Sequence, residues 1–271
     1  MEGGVNTDVI EEGGSGGGDQ ILRLLEECFS YIIALTSPRD ACRSEAVSIA
    51  FRSAAVSNLV WRCFLPHDIL EILARAISRI EFSSIKHLYF QLCKPILIDG
   101  GKKSFWLDRE TGSKCYMLSA RELVISGGDL PHSWDAHPES SFPEVAELLN
   151  VRWLDIHGKI NTSVLSPRTQ YASYLIYKTA PAGRCCILPP IPSRMWREFL
   201  GLGAGEVDAR VPRRRAVAWP SEREDGWEEE ALGEFCTEDG GAGEIDLCFS
   251  AREKGWRINV TVQGIEIRPA K

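Results

Sequence analysis

The sequence lacks the features that would mark a membrane-spanning or a secreted protein. No run of about 18 uninterrupted apolar residues occurs, so we expect no helix that spans a bilayer. Residues 1–18 are acidic and rich in glycine, whereas a secretory signal would be basic and then apolar. We therefore expect the protein in the cytoplasm, the nucleus or both.

The cysteines follow no metal-binding or disulfide pattern. There are nine, an odd number, with no C-x-x-C pair and no histidine at zinc-finger spacing. Reduced thiols are the expected state in the compartment proposed above. His132 and His137 lie near Trp134 but have no acidic or thiolate partner at ligand spacing, so we predict no metal site.

Charge and motifs exclude further classes of protein. The formal charge of −7 argues against a general nucleic-acid binder, which needs a basic surface for phosphate contacts. The sequence contains no G-x-S-x-G elbow, no H-E-x-x-H and no G-x-x-x-x-G-K loop. We expect no catalytic residues, no cofactor and no enzymatic activity of the chain itself.

The first structural feature that the sequence predicts is a small helical module. Apolar residues from Ile21 to Ile33 recur at spacings of three and four, the period of one helix face. Ser37 and Pro38 then predict the start of a second helix, which should continue to a turn at Ser57. A third apolar run follows at once. A module of this size rarely encloses a sufficient core, so we expect it to bury apolar surface against another protein.

The remainder of the chain predicts strands. Two alternating runs between Ile96 and Ala120 are joined by a short polar loop that contains Gly112, which is a hairpin signal. Later strands are expected at residues 122–126, 152–159, 170–178, 230–236, 244–250 and 258–268. Strands separated by polar, Gly-rich loops favour an antiparallel sandwich, so the predicted class is α+β, with a helical bundle followed by an all-β domain.

These patterns divide the chain into segments. The predicted organisation is a disordered tail at 1–18, a helical bundle at 19–66, a helical linker at 67–95 and a β-sandwich at 96–271. Within the sandwich, residues 182–219 are atypical, being rich in Gly, Pro and Arg with little strand alternation. We interpret this segment as an irregular insertion or a frame-shifted stretch. If it prevents the sandwich from folding, the chain is a degenerate copy.

Two sets of motifs resemble known families. Leu24-x-Glu26-x-Cys28, LTSPRDACR from Leu35, FRSAA from Phe51, and Trp61 are similar to the F-box of plant proteins that join an F-box to a phloem-lectin, or Nictaba-type, domain. The family usually has proline where this chain has Leu25. The β half resembles the phloem-lectin domain in the blocks IDGGKKSFWLD, CYMLSARELV, FPEVAEL, WLDIHGKI, LSP, EDGW and VQGIEI.

The F-box resemblance implies the substrate-recognition subunit of a Skp, cullin and F-box ubiquitin ligase. The helical module would bind the Skp adaptor, and the β domain would bind a protein or glycoprotein target that the sequence does not name. The residues that the resemblance assigns to adaptor binding are Leu24, Cys28, Ile32, Ile33, Pro38, Val47 and Trp61.

The lectin resemblance implies a carbohydrate site at Trp134, with Asp129 beside it. Lectin members of the family stack a sugar on two tryptophans, and N-glycan is the ligand that this implies. Here Gly127 replaces the first tryptophan, and Ala136 replaces an aromatic residue found in many relatives. The alternative function is a nucleocytoplasmic carbohydrate-binding lectin that works without the ligase, and the loss of half of the stacking platform argues against it.

Overall fold

The computed structural model describes residues 26–126, 132–151, 153–181, 221–238, 243–252 and 258–270. The chain separates into two compact units, with the division between Phe64 and Leu65. The predicted tail at 1–18 and the atypical segment at 182–219 lie outside the described residues. No helix in the described part of the chain is long and apolar enough to cross a membrane.

Short helices form the first unit. They are α1, described over 26–34, α2 (Pro38–Ser44), α3 (Ile49–Ala55) and α4 (Asn58–Phe64). The prediction of one unbroken helix from Pro38 towards Ser57 is wrong. Ser48 interrupts it, because its hydroxyl accepts a hydrogen bond from the amide of Phe51 at 3.2 Å and begins a new helix.

Buried contacts join these helices. The Ser30 hydroxyl of α1 donates to the carbonyl of Ala54 at 3.3 Å, and the rings of Phe29 and Phe51 lie 4.6 Å apart. Trp61 is fully buried, and its indole nitrogen donates to the carbonyl of Ala55 at 2.7 Å. The apolar residues buried in this unit are Ile33, Ala41, Ala54, Ala55, Val60 and Trp61.

Two helices of the second unit pack on its sheet. They are α5 (Ile69–Ala74) and α6 (Ile85–Leu92), and the Ser84 hydroxyl caps α6 by accepting from the amide of His87 at 3.1 Å. After α5, Arg75 forms a two-bond ion pair with Asp99 at 2.8 and 2.7 Å. From α6, the Tyr89 hydroxyl donates to the carbonyl of Asp108 at 3.1 Å. These contacts make the helices part of the same compact unit as the strands.

Most of the second unit is antiparallel sheet, as predicted. The strands are β1 (Ile96–Ile98), β2 (Lys103–Leu107), β3 (Lys114–Ser119), β4 (Val124–Ser126), β5 (His132–Asp135), β6 (Val145–Val151), β7 (Trp153–Asn161), β8 (Gln170–Pro181), β9 (Ser221–Glu222), β10 (Glu228–Cys236), β11 (Glu244–Arg252) and β12 (Ile258–Pro269). Short 3₁₀ turns lie at Asp99–Gly101, Ala120–Glu122 and Thr162–Val164. The helical bundle followed by a β domain confirms the predicted fold class.

Strand β12 is the centre of the larger sheet. The order is β1-β2-β3-β12-β8-β10-β9, and β6 pairs with both β12 and β5. One edge of β12 pairs with β8 along its whole length, whereas the other edge pairs first with β6 and then with β3. The change of partner occurs at a bulge around Gln263, so the bulge lets one strand hold two partners on the same side.

The smaller sheet packs face to face on the larger one. Its order is β11-β7-β4. At Gly158 of β7, an added methyl group would lie 2.7 Å from Leu123 and 3.2 Å from Ile265, so the two sheets meet too closely there for any side chain. The opposite face of the larger sheet carries a second apolar cluster of Met117, Phe142, Val145, Ile176 and Trp227.

Candidate functional site

The predicted adaptor-binding residues fall into three groups in the structure. Leu24 lies outside the described residues. Cys28, Ile32 and Val47 are at the surface of the helical unit, and Ile32 and Val47 are 56% and 67% exposed. These three can contact a partner without any rearrangement.

The other predicted contacts are interior. Ile33, Pro38 and Trp61 are buried. Their side chains pack beneath the surface of the helical unit, and their assignment to adaptor binding stays a prediction. The resemblance assigns these positions together with the exposed ones, and a sequence motif does not show which of its apolar residues neighbouring helices cover.

Further apolar residues of this unit are exposed that the sequence did not single out. Together with Ile32 and Val47 they form what we call the apolar surface set: Tyr31, Ile32, Leu35, Val47, Ile49, Val56 and Leu59. Their exposure ranges from 44% to 85%. Several lie where a helix ends or begins, so recognising the break at Ser48 would have identified Ile49 in advance.

The predicted sugar site centres on Trp134. The residue lies in β5, opposite Ala146 of β6, and is half-buried. The guanidinium carbon of Arg121 lies 3.9 Å from the centre of its ring, which is a cation–π stack. Arg121 is held in place by Glu144, whose carboxylate accepts from its Nε at 2.8 Å. Asp129 and Gly127 lie outside the described residues.

Ser133 and Asp135 alternate with Trp134 along β5 and therefore point to the opposite face of the sheet, where the Ser133 hydroxyl donates to Asp135 at 2.8 Å and approaches Glu147 at 3.5 Å. Ala136 is exposed. Beside the indole itself, Arg121 and Glu144 can bind the hydroxyls of a sugar or the polar groups of a peptide. Since Arg121 is stacked on the indole, a pyranose could use that face of the ring only by displacing the arginine.

Of the two histidines near Trp134, His137 contacts another part of the β unit. Its ring meets that of Trp227 edge-on at 5.2 Å, and its Nδ1 accepts from the amide of Glu139 at 3.3 Å. His132 lies in β5, opposite Leu148 of β6. Within the described ranges, no group of three His, Cys, Asp or Glu side chains is placed to hold a metal ion.

Comparison with known proteins adds to this geometry. A family model described as PP2, Phloem protein 2, matches residues 113–269. F-box protein At2g02240 of Arabidopsis thaliana is 42% identical to this chain, over 92% of this chain and 80% of its own length. F-box protein PP2-B10 of the same plant is 41% identical, over 91% of this chain and 93% of its own length. F-box protein SKIP3, also of this plant, is 39% identical, over 92% of this chain and 88% of its own length. The matches to the three F-box proteins cover the helical unit and the β unit together, whereas the family model covers part of the β unit.

Proposed function

Because this chain belongs to the plant F-box proteins that carry a phloem protein 2 domain, we propose that it is the substrate-recognition subunit of a Skp, cullin and F-box ubiquitin ligase. In this proposal the helical unit binds the Skp adaptor, and the β unit binds the protein to be ubiquitinated. The chain itself carries out no catalysis.

The apolar surface set is the observation that supports adaptor binding. Seven large apolar side chains are exposed along only 39 described residues, 26–64, of one small unit. So many exposed apolar residues on a unit of this size are typical of a protein that binds a partner. Tyr31, Ile32 and Leu35 lie within one turn of each other at the end of α1, so they can enter one partner groove together.

The role needs positioning and no reactive group. A receptor that holds a target beside a charged ubiquitin carrier raises the effective concentration of the two reactants. Transfer of ubiquitin is then the chemistry of a partner enzyme. The apolar surface set fits this role, because binding a partner requires contact surface and no reactive group.

Recovery of the Skp adaptor by the purified full chain tests the proposal. Ile32→Asp places a charge in the apolar surface set, and loss of a central anchor should weaken binding by at least about tenfold. Leu70→Asp is the matched control, because Leu70 is also an exposed apolar residue, 76% exposed, but lies in α5 of the other unit. Equal recovery of wild type and both variants would overturn the proposal.

For the target we propose a surface that includes Trp134. The half-buried indole, the stacked Arg121 and Glu144, which holds the arginine in place, offer an aromatic face with charged groups beside it. Both glycans and peptides are bound by such surfaces. Specific glycan binding that Trp134→Ala abolishes, found together with no adaptor binding, would favour the rival function of a lectin that works without the ligase.

We also propose the cytoplasm and the nucleus as the location. The support is the proposed partner, since ubiquitin ligases of this class act on proteins of these compartments. A fluorescent fusion of the full chain in plant cells gives the expected nuclear and cytoplasmic signal. Exclusive labelling of the secretory pathway would contradict this location.

A further inference from the structure

The outer face of the smaller sheet brings together a thiol, an imidazole and a carboxylate. Residues alternate along β7, so Asp155 and His157 point away from the sandwich while Leu154, Ile156 and Gly158 face its core. The neighbouring strand β11 places Cys248 opposite His157 and Ser250 opposite Asp155. Side chains opposite each other on the same face lie within contact distance.

The side chains form a continuous hydrogen-bonded chain. Cys248 Sγ lies 3.1 Å from His157 Nδ1, and His157 Nε2 lies 3.0 Å from Asp155 Oδ2. On the far side of the carboxylate, the Ser250 hydroxyl donates to Asp155 Oδ1. A carboxylate on Nε2 keeps the imidazole proton there, which leaves the lone pair of Nδ1 facing the thiol.

This arrangement is the one that activates a thiol. The thiolate is the nucleophilic form of cysteine, and an adjacent imidazole favours it by accepting the proton. Asp155 then stabilises the imidazolium that results, since that ion donates to the thiolate from one nitrogen and to the carboxylate from the other. Cys248 is therefore chemically distinct from an ordinary surface cysteine.

Exposure decides what kind of reagent can reach the sulfur. Cys248 is half-buried, and the side chain of His157 is 47% exposed. On β4, the third strand of this sheet, Val124 lies opposite His157 and is 66% exposed, so the face is open to solvent. An open sheet face admits a small molecule but does not enclose a large substrate, which favours modification of the thiol over turnover of a substrate.

We propose that Cys248 is a reactive thiol that hydrogen peroxide or a small organic hydroperoxide oxidises to sulfenic acid. The thiol proton moves to His157 Nδ1, and the thiolate attacks one peroxide oxygen. The O–O bond breaks, and the departing hydroxide or alkoxide takes the proton from the imidazolium. The thiol is oxidised to Cys–SOH, and the peroxide is reduced to water or an alcohol.

Trapping of sulfenic acid in the full chain tests the proposal. The protein is treated with hydrogen peroxide at neutral pH, labelled with dimedone and digested, and labelling of each cysteine is followed by mass spectrometry. Cys63 and Cys236 are internal controls, because both are exposed and neither forms a hydrogen bond with a histidine among the described residues. Since a free thiol is only a few per cent thiolate near pH 7, we expect Cys248 to be labelled about tenfold faster or more.

Variants separate activation from simple exposure. His157→Ala should lower the labelling rate of Cys248 to that of the controls. Lys159→Ala, two residues along the same face of β7, should leave the rate unchanged. Labelling of wild-type Cys248 no faster than Cys63 and Cys236 would overturn the proposal, and so would His157→Ala labelled as fast as wild type. The comparison of Cys248 with Cys63 and Cys236 is made within the wild-type protein, so it tests the proposal even if His157→Ala does not fold.

Discussion

At the scale of single residues, Gly264 fixes the point where β12 changes partner. A methyl group added there would lie 2.0 Å from the carbonyl oxygen of Leu118, a backbone atom of β3. The glycine pairs with Ser119 on one side and with Ile176 on the other, so neither neighbour can move aside without breaking a strand pair. Glycine is therefore required at position 264, because no side chain fits between β12 and the backbone of β3.

The first prediction concerns this glycine. Gly264→Ala should lower the free energy of unfolding by at least about 2–3 kcal/mol, because the added methyl forces two backbones apart. Gly243→Ala is the matched control, since its methyl would lie 3.7 Å from Thr162, an ordinary contact. Urea unfolding of both variants measures the difference. Equal midpoints for the two would contradict the steric role.

The residue scale also shows what the sequence could not predict. Trp134 could be singled out by position, but the stacking of Arg121 on it could not, because it depends on how the turn before β4 lies against β5. His157 and Cys248 are 91 residues apart, and only the register between β7 and β11 brings them into contact. Strand register and tertiary packing bring such residues together, and the local sequence pattern does not predict either of them.

At the scale of elements, an ion pair and a backbone hydrogen bond tie the end of α5 to the turn after β1. The amide of Asp99 donates to the carbonyl of Arg75 at 3.2 Å. Arg75 donates to both oxygens of Asp99, and Lys103 lies 3.5 Å from the same carboxylate. The hydrogen bonds from Arg75 hold the pKa of Asp99 below its ordinary value of 3.8, although partial burial opposes this. Asp99 also adopts a φ of 54°, a left-handed conformation that aspartate and asparagine tolerate better than most residues.

The second prediction follows from the sign of this shift. A carboxylate whose pKa is lower in the folded state contributes stability above about pH 4, and the contribution disappears as pH falls through the folded pKa. Asp99→Asn keeps the backbone geometry and removes the charge, so it should cost about 1 kcal/mol or less at pH 7, because both groups are partly exposed.

Urea unfolding at pH 7, 5 and 3 measures this effect. The stability difference between wild type and Asp99→Asn should shrink at pH 3. Asp246→Asn is the control, because it removes a partly exposed carboxylate of β11 whose contact with Lys159, at 3.5 Å, is longer and more exposed than that of Arg75 with Asp99. A difference between wild type and Asp99→Asn that stays constant or grows as the pH falls would contradict the assigned role of the ion pair.

Elements differ in how well the sequence predicts them. Strands β7, β8, β10, β11 and β12 are predicted to within a few residues, and in β7, β10 and β11 buried residues alternate with more exposed ones. Strand β6 is missed because Val145 and Ala146 are both buried, one against each face, so no alternation marks it. The helix break at Ser48 is missed because one serine hydroxyl decides it within an otherwise helix-favouring run.

At the scale of the whole molecule, two units carry different surfaces. The helical unit exposes the apolar surface set, whereas the β unit presents the half-buried Trp134 with Arg121 stacked on it. Apolar exposure suits stable association with one fixed partner, and an aromatic face with charged groups beside it suits selective contacts. The proposed function assigns adaptor binding to the first unit and target binding to the second.

Hydrogen–deuterium exchange of the full chain, with and without the Skp adaptor, is the most direct measurement of this division. If the apolar surface set binds the adaptor, amides in residues 26–64 should exchange more slowly in the complex, above all near Tyr31 to Leu35 and near Val47 to Ile49. The strands from β1 to β12 should keep their exchange rates. Protection confined to those strands, with unchanged exchange in 26–64, would contradict the account.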